Sequence, residues 1–481
     1  MTPSVPQAPC FTRRDFLSRC GLGMGALGLA PLLHETGAFG SESPLHAREP
    51  HFPPTAKRVI HIFPVGGPSQ VDTFDPKPML EKYHGRPVEE VLKDYQKQAG
   101  EVASGMGRLS GKLQRSGFKF SKHGQSGAEI SELFPLLAKQ ADELCIVRSM
   151  HTKSSVHEPA QLMMTCGELV NVRPSIPAWT VYGLGTMNEN LPAFVSLSEN
   201  GTRSSGDKHW GNGFLPAWTR GTSIATKNSE VNKLIEHLRS GSTSIREQRR
   251  QLDLLAQING EHLGRHRGDA YLEGRILSFE TAFRMQVEAT DAFDLTREPV
   301  HIRELYGDTG QGNQMLLARR LVERGVRFVQ VWLEGWDTHD KNDENHRELC
   351  LGADQPIAAL LQDLKERDIL KDTLVIWAGE FGRTPTSDNN EVAKKKGIGR
   401  DHNAGGFTAW MAGGGAKPGL TYGSTDDFGA LATEGAMEVH DLHATMLHML
   451  GFDHEKLTYR YAGRDFRPTD VSGHVNHALL G

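Results

Sequence analysis

Short apolar runs that end near glycine or an acidic residue recur along the chain and alternate with longer amphipathic segments. Arg58–Phe63, Phe328–Leu333 and Thr373–Trp377 have the length and the β-branched and aromatic content of buried strands. Segments such as Gln314–Arg324 and Asp354–Glu366 have the periodicity of helices instead. This alternation predicts the α/β class, with a mostly parallel central sheet and helices on both of its faces.

Further elements complete this pattern. Strands are predicted at Leu144–Arg148, Phe194–Ser198 and Phe407–Met411, and helices at Ile130–Glu143 and His440–Leu450. Between about residues 201 and 300 the sequence becomes repeatedly helical and rich in Arg, Glu and Gln. This stretch predicts a helical insertion that covers one side of the core, although a small separate domain fits the same pattern.

The N-terminal segment has the features of an export signal. Arg13 and Arg14 form a twin-arginine pair, and the apolar, glycine-rich run Cys20–Leu33 follows them. That run is short for a spanning helix, which needs about 20 apolar residues. We therefore predict a leader over residues 1–45, a single large domain over 46–481, and delivery of the folded chain to the periplasm or beyond by the twin-arginine export machinery.

Composition excludes several classes of protein. The formal net charge of -5, with no clustered basic face, argues against nucleic acid as a partner. Beyond the leader no segment is apolar enough to predict a stable membrane span. Two of the five cysteines lie in the leader and the others lack Cys-x-x-Cys spacing, so a disulfide framework is not expected.

Polar residues directly after predicted strands are the first candidates for a site, because ligands in open α/β sheets bind beyond the carboxyl ends of the strands. Asp337 and His339 follow the strand Phe328–Leu333 and lie two residues apart, so in extended backbone they point to the same side. A carboxylate and an imidazole placed in this way are common ligands of zinc, manganese or iron. The alternative is that Asp337 caps a turn and His339 is merely exposed.

Two more clusters have the same character. Glu380 follows the strand Thr373–Trp377 as a candidate metal ligand, and Arg383 is suited to bind an anionic oxygen in bidentate fashion. A structural ion pair between Glu380 and Arg383 is the alternative. Asp401 and His402 lie between glycines just before a predicted strand and are candidate ligands, although an Asp-His pair also occurs in ordinary turns.

Two further regions carry weaker signals. Asp72 lies after the first strand, where a metal-binding carboxylate is expected. Ser155 and His157 lie where a helix is predicted to begin, so Ser155 is a candidate nucleophile and His157 a candidate base or metal ligand. The serine is equally suited to be an ordinary N-cap.

Several phrases, in this order, resemble the alkaline phosphatase superfamily of phosphatases, sulfatases, phosphomutases and nucleotide pyrophosphatases. The phrases are GGPSQVDTFDPK (66–77), GWDTH (335–339), LVIWAGEFGRTP (374–385), GRDH (399–402), GGG (413–415) and HDLHATMLHMLG (440–451). Within the superfamily the chain looks like an uncharacterised family of twin-arginine-exported, sulfatase-like bacterial proteins with a domain of unknown function. The resemblance covers nearly the whole mature chain and implies an alkaline-phosphatase-like, three-layer α/β/α sandwich with metal ions at the strand ends.

The departures from that superfamily bear on chemistry. Gly66 and Gly67 stand where superfamily enzymes usually carry an Asp ligand, and Phe381 stands where relatives carry a His. The segment 154–167 lacks the Cys-x-Pro-x-Arg context that is converted to formylglycine, which disfavours a standard sulfatase.

The resemblance and the strand-end residues together predict an exported, metal-dependent hydrolase of sulfate or phosphate esters, with a small molecule or a glycan ester as substrate. The expected cofactor is a divalent metal ion, namely zinc, manganese, iron or calcium. The alternative is a non-catalytic member of the fold that binds an anionic glycan or a partner protein. The expected residues are the metal ligands Asp337, His339, Glu380, Asp401, His402 and Asp72 and the catalytic group Ser155, His157 and Arg383.

Overall fold

The computed structural model describes most of the chain from residue 45 onwards. It covers residues 45–99, 109–170, 173–201, 206–227, 231–234, 244–265, 274, 277, 279–281, 283–284, 291–388 and 397–481. The predicted twin-arginine pair at Arg13 and Arg14 lies outside the described residues.

Helices and strands alternate through most of the described chain. The helices are α1 (Gln70–Thr73), α2 (Pro78–Lys82), α3 (Val88–Ala99), α4 (His157–Cys166), α5 (Ile176–Leu184), α6 (Val231–Leu234), α7 (Ile245–Arg265), α8 (Val300–Tyr306), α9 (Gly310–Glu323), α10 (Asn342–Glu366) and α11 (Val439–Met449). Among the residues described, none of these helices has both the length and the apolar content needed to cross a membrane.

The strands are mostly short. They are β1 (Arg58–Pro64), β2 (Phe120–His123), β3 (Ala128–Ser131), β4 (Leu144–His151), β5 (Phe194–Ser198), β6 (Thr222–Ala225), β7 (Phe328–Leu333), β8 (Thr373–Trp377), β9 (Gly382–Ser387), β10 (Arg400–Asn403), β11 (Phe407–Ala412), β12 (Thr421–Tyr422), β13 (Ser424–Thr425), β14 (Ala432–Glu434), β15 (Met437–Glu438), β16 (Tyr459–Tyr461) and β17 (Arg464–Phe466).

One large sheet organises these elements. Nine of the described strands form it, in the order β12-β4-β11-β8-β1-β7-β5-β6, and β15 also pairs with β4. Strand β11 runs antiparallel to both of its neighbours, and the other pairs are parallel. The predicted mostly parallel sheet is therefore confirmed.

Helices cover both faces of this sheet. Ile60 and Ile62 of β1 pack in one buried apolar cluster with residues of α9 and α10. Val59 and Phe63 pack in a second cluster with residues of α4, α5 and α11. Because successive side chains of a strand point to opposite faces, the two clusters lie on opposite sides of the sheet, and the predicted three-layer α/β/α sandwich is confirmed.

Most of the predicted elements are present, and three strands, β5, β7 and β8, have the predicted bounds. The helix predicted at Ile130–Glu143 is wrong. Its first residues belong to β3, and a 3₁₀ helix covers Leu137–Glu143. Pro135 lies between them, and proline lacks the amide hydrogen that a continuous helix needs.

The predicted helix start at Asp354 is also wrong, because α10 already begins at Asn342. Asp354 is buried within α10, and its carboxylate accepts hydrogen bonds from the backbone amides of Leu136 and Leu137, both at 2.8 Å. The acidic residue therefore binds the start of a neighbouring element and not the start of its own helix.

The stretch expected to form a helical insertion, 201–300, contains a strand of the central sheet. Strand β6 pairs in parallel with β5 and is the last strand at that end of the sheet. The described helix α7 lies further along, at Ile245–Arg265. The helical part of this stretch therefore begins later than residue 201.

The direction of the strands places several loops at one edge of the sheet. Strands β1, β4, β7 and β8 point the same way, so their carboxyl ends share that edge. Strand β11 runs in the opposite direction, and its first residue, Phe407, pairs with Met150 near the end of β4. The loop that leads into β11 therefore meets the loops that leave the other four strands.

Candidate metal centre

Four side chains from three parts of the chain meet at this edge. They are His157 at the start of α4, Asp337 and His339 after β7, and His402 in β10. Each offers one ligand atom, and these atoms all lie within 4.8 Å of one another. The cluster draws on three separate parts of the sequence because β4, β7 and β11 present their loops at the same edge.

The carboxylate of Asp337 is at the centre of the cluster. Its Oδ1 lies 3.1 Å from Nε2 of His339 and 3.1 Å from Nε2 of His402. Its Oδ2 lies 3.2 Å from Nε2 of His157. The Nε2 atoms of His339 and His402 are 2.9 Å apart, so three imidazoles direct the same ring nitrogen towards one carboxylate.

The other ring nitrogen of each histidine faces a hydrogen-bond acceptor. Nδ1 of His157 lies 2.9 Å from Oε1 of Glu380, and Nδ1 of His339 lies 2.8 Å from Oδ2 of Asp388. Nδ1 of His402 lies 2.7 Å from the backbone carbonyl of Ser155. Carboxylate and carbonyl oxygens only accept, so each Nδ1 carries a hydrogen and the neutral ring keeps its lone pair on Nε2.

This donor set fits a divalent metal ion. In metal-bound histidines the N–H of the second ring nitrogen typically donates a hydrogen bond to a carboxylate or a carbonyl, as in all three histidines here. Three imidazoles and a carboxylate are ligands that suit zinc and related transition metals. Two Nε2 lone pairs 2.9 Å apart repel each other unless a proton or a metal ion is shared between them.

The pKa values of the cluster also favour the binding of a metal ion. Burial lowers the pKa of His157, but the Asp337 and Glu380 carboxylates outweigh it and raise the pKa to about 9. The bond to Asp337 likewise raises the pKa of His339. Burial raises the pKa of Asp337, but its hydrogen bonds to His157, His339 and His402 bring it well below its usual range. Without metal, His157 therefore holds a proton at neutral pH, which a bound metal ion would displace.

Glu380, expected from the sequence to be a ligand, is fully buried behind His157. Its Oε1 accepts hydrogen bonds from the backbone amide of Gly66 at 2.9 Å and from Nε2 of Gln161 at 3.1 Å, besides the bond from His157. Glu380 is therefore placed to orient His157 and to hold the turn after β1, and it is not part of the cluster of four ligand atoms.

Arg383, expected to bind a substrate anion, is also fully buried. Its guanidinium donates to Oδ1 of Asp337 at 2.6 Å. The remaining donors reach backbone carbonyl groups, those of Gly66, Gly67, Trp336 and Arg400. Arg383 is thus placed to hold Asp337 and the adjacent turns.

Asp72, the weakest of the predicted ligands, lies apart from the cluster of four. Its Oδ2 is 2.8 Å from Nε of Arg400, and both side chains are fully buried. Ser69 and Asn342 donate to the same oxygen. The carboxylate is therefore committed to an internal ion pair, which also engages Arg400.

Asp401 lies at the rim of the cluster. Its side chain is 59% exposed, and its Oδ1 is 3.9 Å from Nδ1 of His339. With His339 and Asp388 it forms a second acidic group that shares one histidine with the first. Asp388 is not among the residues predicted from the sequence. It follows β9 in a polar stretch, Thr386-Ser387-Asp388-Asn389, which does not have the apolar pattern that predicts the end of a strand.

A cavity of about 300 Å³ opens beside His402. The exposed residue Ser155 lines it, while the carbonyl of Ser155 holds His402. Ser155 does not cap α4, since the residue before the helix is Val156 and no side chain caps it. The candidate nucleophile therefore lies at the mouth of the site.

Comparison with known proteins gives a family and distant structural neighbours. The family model described as "Protein of unknown function (DUF1501)" matches residues 56–480. No curated protein matches the sequence.

Among solved structures, the chain is similar to the PsFucS1 sulfatase from Pseudoalteromonas sp., with 12% identity, a TM-score of 0.37, and coverage of 94% of this chain and 74% of that one. It is similar to the alkaline phosphatase from the Antarctic bacterium TAB5, with 11% identity, a TM-score of 0.32, and coverage of 76% and 94%. The lipoteichoic acid synthase LtaP from Listeria monocytogenes matches with 11% identity, a TM-score of 0.32, and coverage of 85% and 77%.

Proposed function

The chain belongs to the DUF1501 family of unknown function, and we propose that this protein is an exported, metal-dependent hydrolase of sulfate or phosphate esters. The observation that carries the proposal is the convergence of three Nε2 atoms on the Asp337 carboxylate, with every Nδ1 hydrogen fixed by an acceptor. With Nδ1 fixed as the donor, Nε2 of each ring, which lies against the Asp337 carboxylate, is the atom that would bind a metal ion.

The ligands would be His157, Asp337, His339 and His402, and the ion would be zinc, manganese or iron before calcium, because three imidazoles favour the transition metals. A metal ion bound there supplies Lewis acidity towards an ester oxygen. The protein's own contribution is to hold the ligands in place: Glu380 and Asp388 orient two of the rings, and Arg383 anchors the carboxylate.

The attacking group on this proposal is a water molecule or the Ser155 hydroxyl. Both can reach the cavity beside His402, which Ser155 itself lines. Arg383 and Arg400 are fully buried and bonded to backbone carbonyls, so neither is placed to offset charge on the substrate. That task would fall on the metal ion and on backbone amides.

Elemental analysis of the purified mature protein tests the proposal. We expect a stoichiometric transition metal in the wild type and its loss in the Asp337→Ala/His402→Ala variant. The matched control is His474→Ala/Asp465→Ala, which removes one histidine and one aspartate from exposed positions and should keep the metal. The milder Asp337→Asn/His402→Gln variant guards against unfolding, which circular dichroism reports. Folded wild-type protein without any metal would overturn the proposal.

A positive result would be followed by screening of phosphate and sulfate monoesters with the loaded enzyme. Turnover that disappears in the Asp337→Ala/His402→Ala variant and persists in the control supports the hydrolase. Metal binding without turnover of any ester favours the second function, a non-catalytic member of the fold that binds an anionic glycan or a protein partner. The engagement of both nearby arginines in internal bonds is the observation that favours this alternative.

A further inference from the structure

The cavity beside His402 has a lining that differs from that of an anion-binding pocket. Ser155, Thr384, Thr386 and Ser387 contribute hydroxyl-bearing residues, and Asp401 contributes a carboxylate. No lysine or arginine belongs to the lining within the part of the chain that the structure describes. The Thr384 hydroxyl is already bonded, donating to the carbonyl of Thr386 and accepting from the amide of Asp401. The exposed Ser155 and the exposed Asp401 carboxylate lie at the surface of the cavity, so the lining suits a ligand whose hydroxyl groups donate and accept hydrogen bonds.

The charge around the cavity excludes a second anion. Asp337, Glu380, Asp388 and Asp401 bring four carboxylates to the site or its immediate surroundings. Arg383 and one divalent ion together supply fewer positive charges than that. A sulfate or phosphate group can pair with the metal ion, but another acidic group in the cavity would face Asp401 with no cation beside it.

The size of the cavity limits the ligand further. Its volume of about 300 Å³ is at the lower end of the range for small-molecule pockets, roughly 300–1,000 Å³. Leu109 and Leu431 add apolar surface to the polar lining, which suits the carbon-bound face of a sugar ring. The space is large enough for one such ring.

We infer that this cavity binds the alcohol part of the substrate as a single uncharged sugar ring, and that Asp401 discriminates against acidic sugars. The inference rests on the proposed function, since it assigns this cavity to the alcohol that leaves when the ester is hydrolysed. If the cavity has this role, the enzyme acts on the monoester of a neutral sugar. It rejects glycans in which the ring next to the esterified one carries a carboxylate or a second sulfate.

Binding of free sugars tests this independently of catalysis. The probes are D-galactose, D-glucose and N-acetylglucosamine, with D-glucuronate as the acidic counterpart, measured by saturation-transfer NMR and titration of the full-length mature protein. We expect at least one neutral sugar to bind at roughly millimolar concentration. D-glucuronate should bind about tenfold more weakly, the effect of one like charge at close range in a partly solvated site.

Three variants locate the effect. Asp401→Asn should reduce the discrimination against D-glucuronate to less than about threefold, while Asp368→Asn, an exposed aspartate before β8 at the opposite edge of the sheet, should leave it unchanged. Ser155→Phe fills the cavity and should weaken sugar binding at least about tenfold. Its control is Val156→Phe at the neighbouring position, which is 61% exposed and does not line the cavity.

The outcomes separate the two proposals. Failure of every neutral sugar to bind, or binding of D-glucuronate as tight as theirs in the wild type, overturns the sugar cavity even when metal is present. Persistence of sugar binding in Ser155→Phe also overturns it, because the ligand then lies elsewhere. Sugar binding by a protein that holds no metal supports the cavity while removing the hydrolase.

Discussion

The buried ion pair of Asp72 and Arg400 is the residue-scale feature that most affects the site without belonging to it. Burial raises the pKa of Asp72, but the charge of Arg400 outweighs it and brings the pKa from 3.8 to about 2. Arg400 also donates to the carbonyl groups of Thr384, Gln114 and Arg115. The pair thus joins α1 to β9 and β10, and β10 carries His402.

Because the folded-state pKa of Asp72 lies below its value in the unfolded chain, the pair stabilises the fold above about pH 4. That contribution, about 2 kcal/mol, is lost as the pH falls from about 4 towards 2. Asp72→Asn leaves Arg400 buried without its partner and should cost about 3–5 kcal/mol at pH 7. Urea unfolding followed by tryptophan fluorescence at pH 7 and pH 3 measures both effects.

Asp465→Asn is the control, since this carboxylate is more than half exposed and pairs with Arg460 at the surface. We expect it to change the free energy of unfolding by less than about 0.5 kcal/mol. The difference in stability between wild type and Asp72→Asn should shrink as the pH falls. Equal effects of the two substitutions would contradict the role assigned to the pair.

The candidate ligands illustrate what residue patterns can and cannot predict. Asp337 and His339 follow from the strand-end rule, His402 was predicted from its Asp-His pair between glycines, and the three do meet in the structure. Asp388 could not be predicted, because its part in orienting His339 depends on the hairpin of β9 and β10 and on no local pattern. Arg383 and Arg400 look like anion-binding residues in sequence, but the depth at which their guanidinium groups lie is a property of the folded chain.

At the scale of elements, the turn after β1 determines where Asp337 lies. Gly66 has φ +117, and a Cβ atom built on it would lie 2.2 Å from the backbone nitrogen of Asp337. Its amide also donates to Glu380. Gly66 therefore lets the backbone of the β7 loop approach β1 closely.

Gly66→Ala should accordingly impair the site, and Gly85→Ala is a close control. Both glycines have positive φ, but a Cβ at Gly85 would meet nothing within 4 Å. Gly85→Ala should lower the stability of the fold by only about 1–2 kcal/mol, the cost of a side chain in left-handed backbone, and should keep the metal. Gly66→Ala also carries a backbone cost, since its φ is positive too, and it must in addition displace Asp337, so its metal affinity should fall at least about tenfold.

Thermal unfolding and metal titration of the two variants give the comparison. If Gly66→Ala binds metal as tightly as Gly85→Ala does, the close approach of the two loops is not what positions Asp337. A loss of metal in both variants would likewise contradict the argument, because the left-handed backbone alone would then account for it.

Strand prediction succeeded where side chains are buried on both faces, as in β5, β7 and β8, because such strands are short continuous apolar runs. It missed β6, whose residues Thr222–Ala225 are mostly only partly buried at one end of the sheet. The direction of a strand could not be predicted in this way. Nothing in Phe407–Ala412 shows that β11 is antiparallel, yet that direction brings Asp401 and His402, which precede it, to the carboxyl edge.

At the scale of the whole molecule, the cluster unites residues from His157 to His402 and therefore exists only once the central sheet has formed. A chain exported unfolded would have to acquire its metal after crossing the membrane. The twin-arginine route carries folded cargo, so a chain that uses it can be loaded beforehand. The long sequence separation of the ligands thus gives a physical reason for export in the folded state, the route that the Arg13-Arg14 pair is predicted to direct.

Replacing the pair tests this connection. In cell fractionation, wild type should reach the periplasm, and Arg13→Lys/Arg14→Lys should remain in the cytoplasm at full length. Arg19→Lys, which changes an arginine of the leader outside the pair, should be exported like the wild type. The retained variant should already contain its metal in the same stoichiometry as the exported protein. Export of the double variant would refute the assigned route, whereas retention without metal would show that loading follows export and that the separation of the ligands does not explain the choice of route.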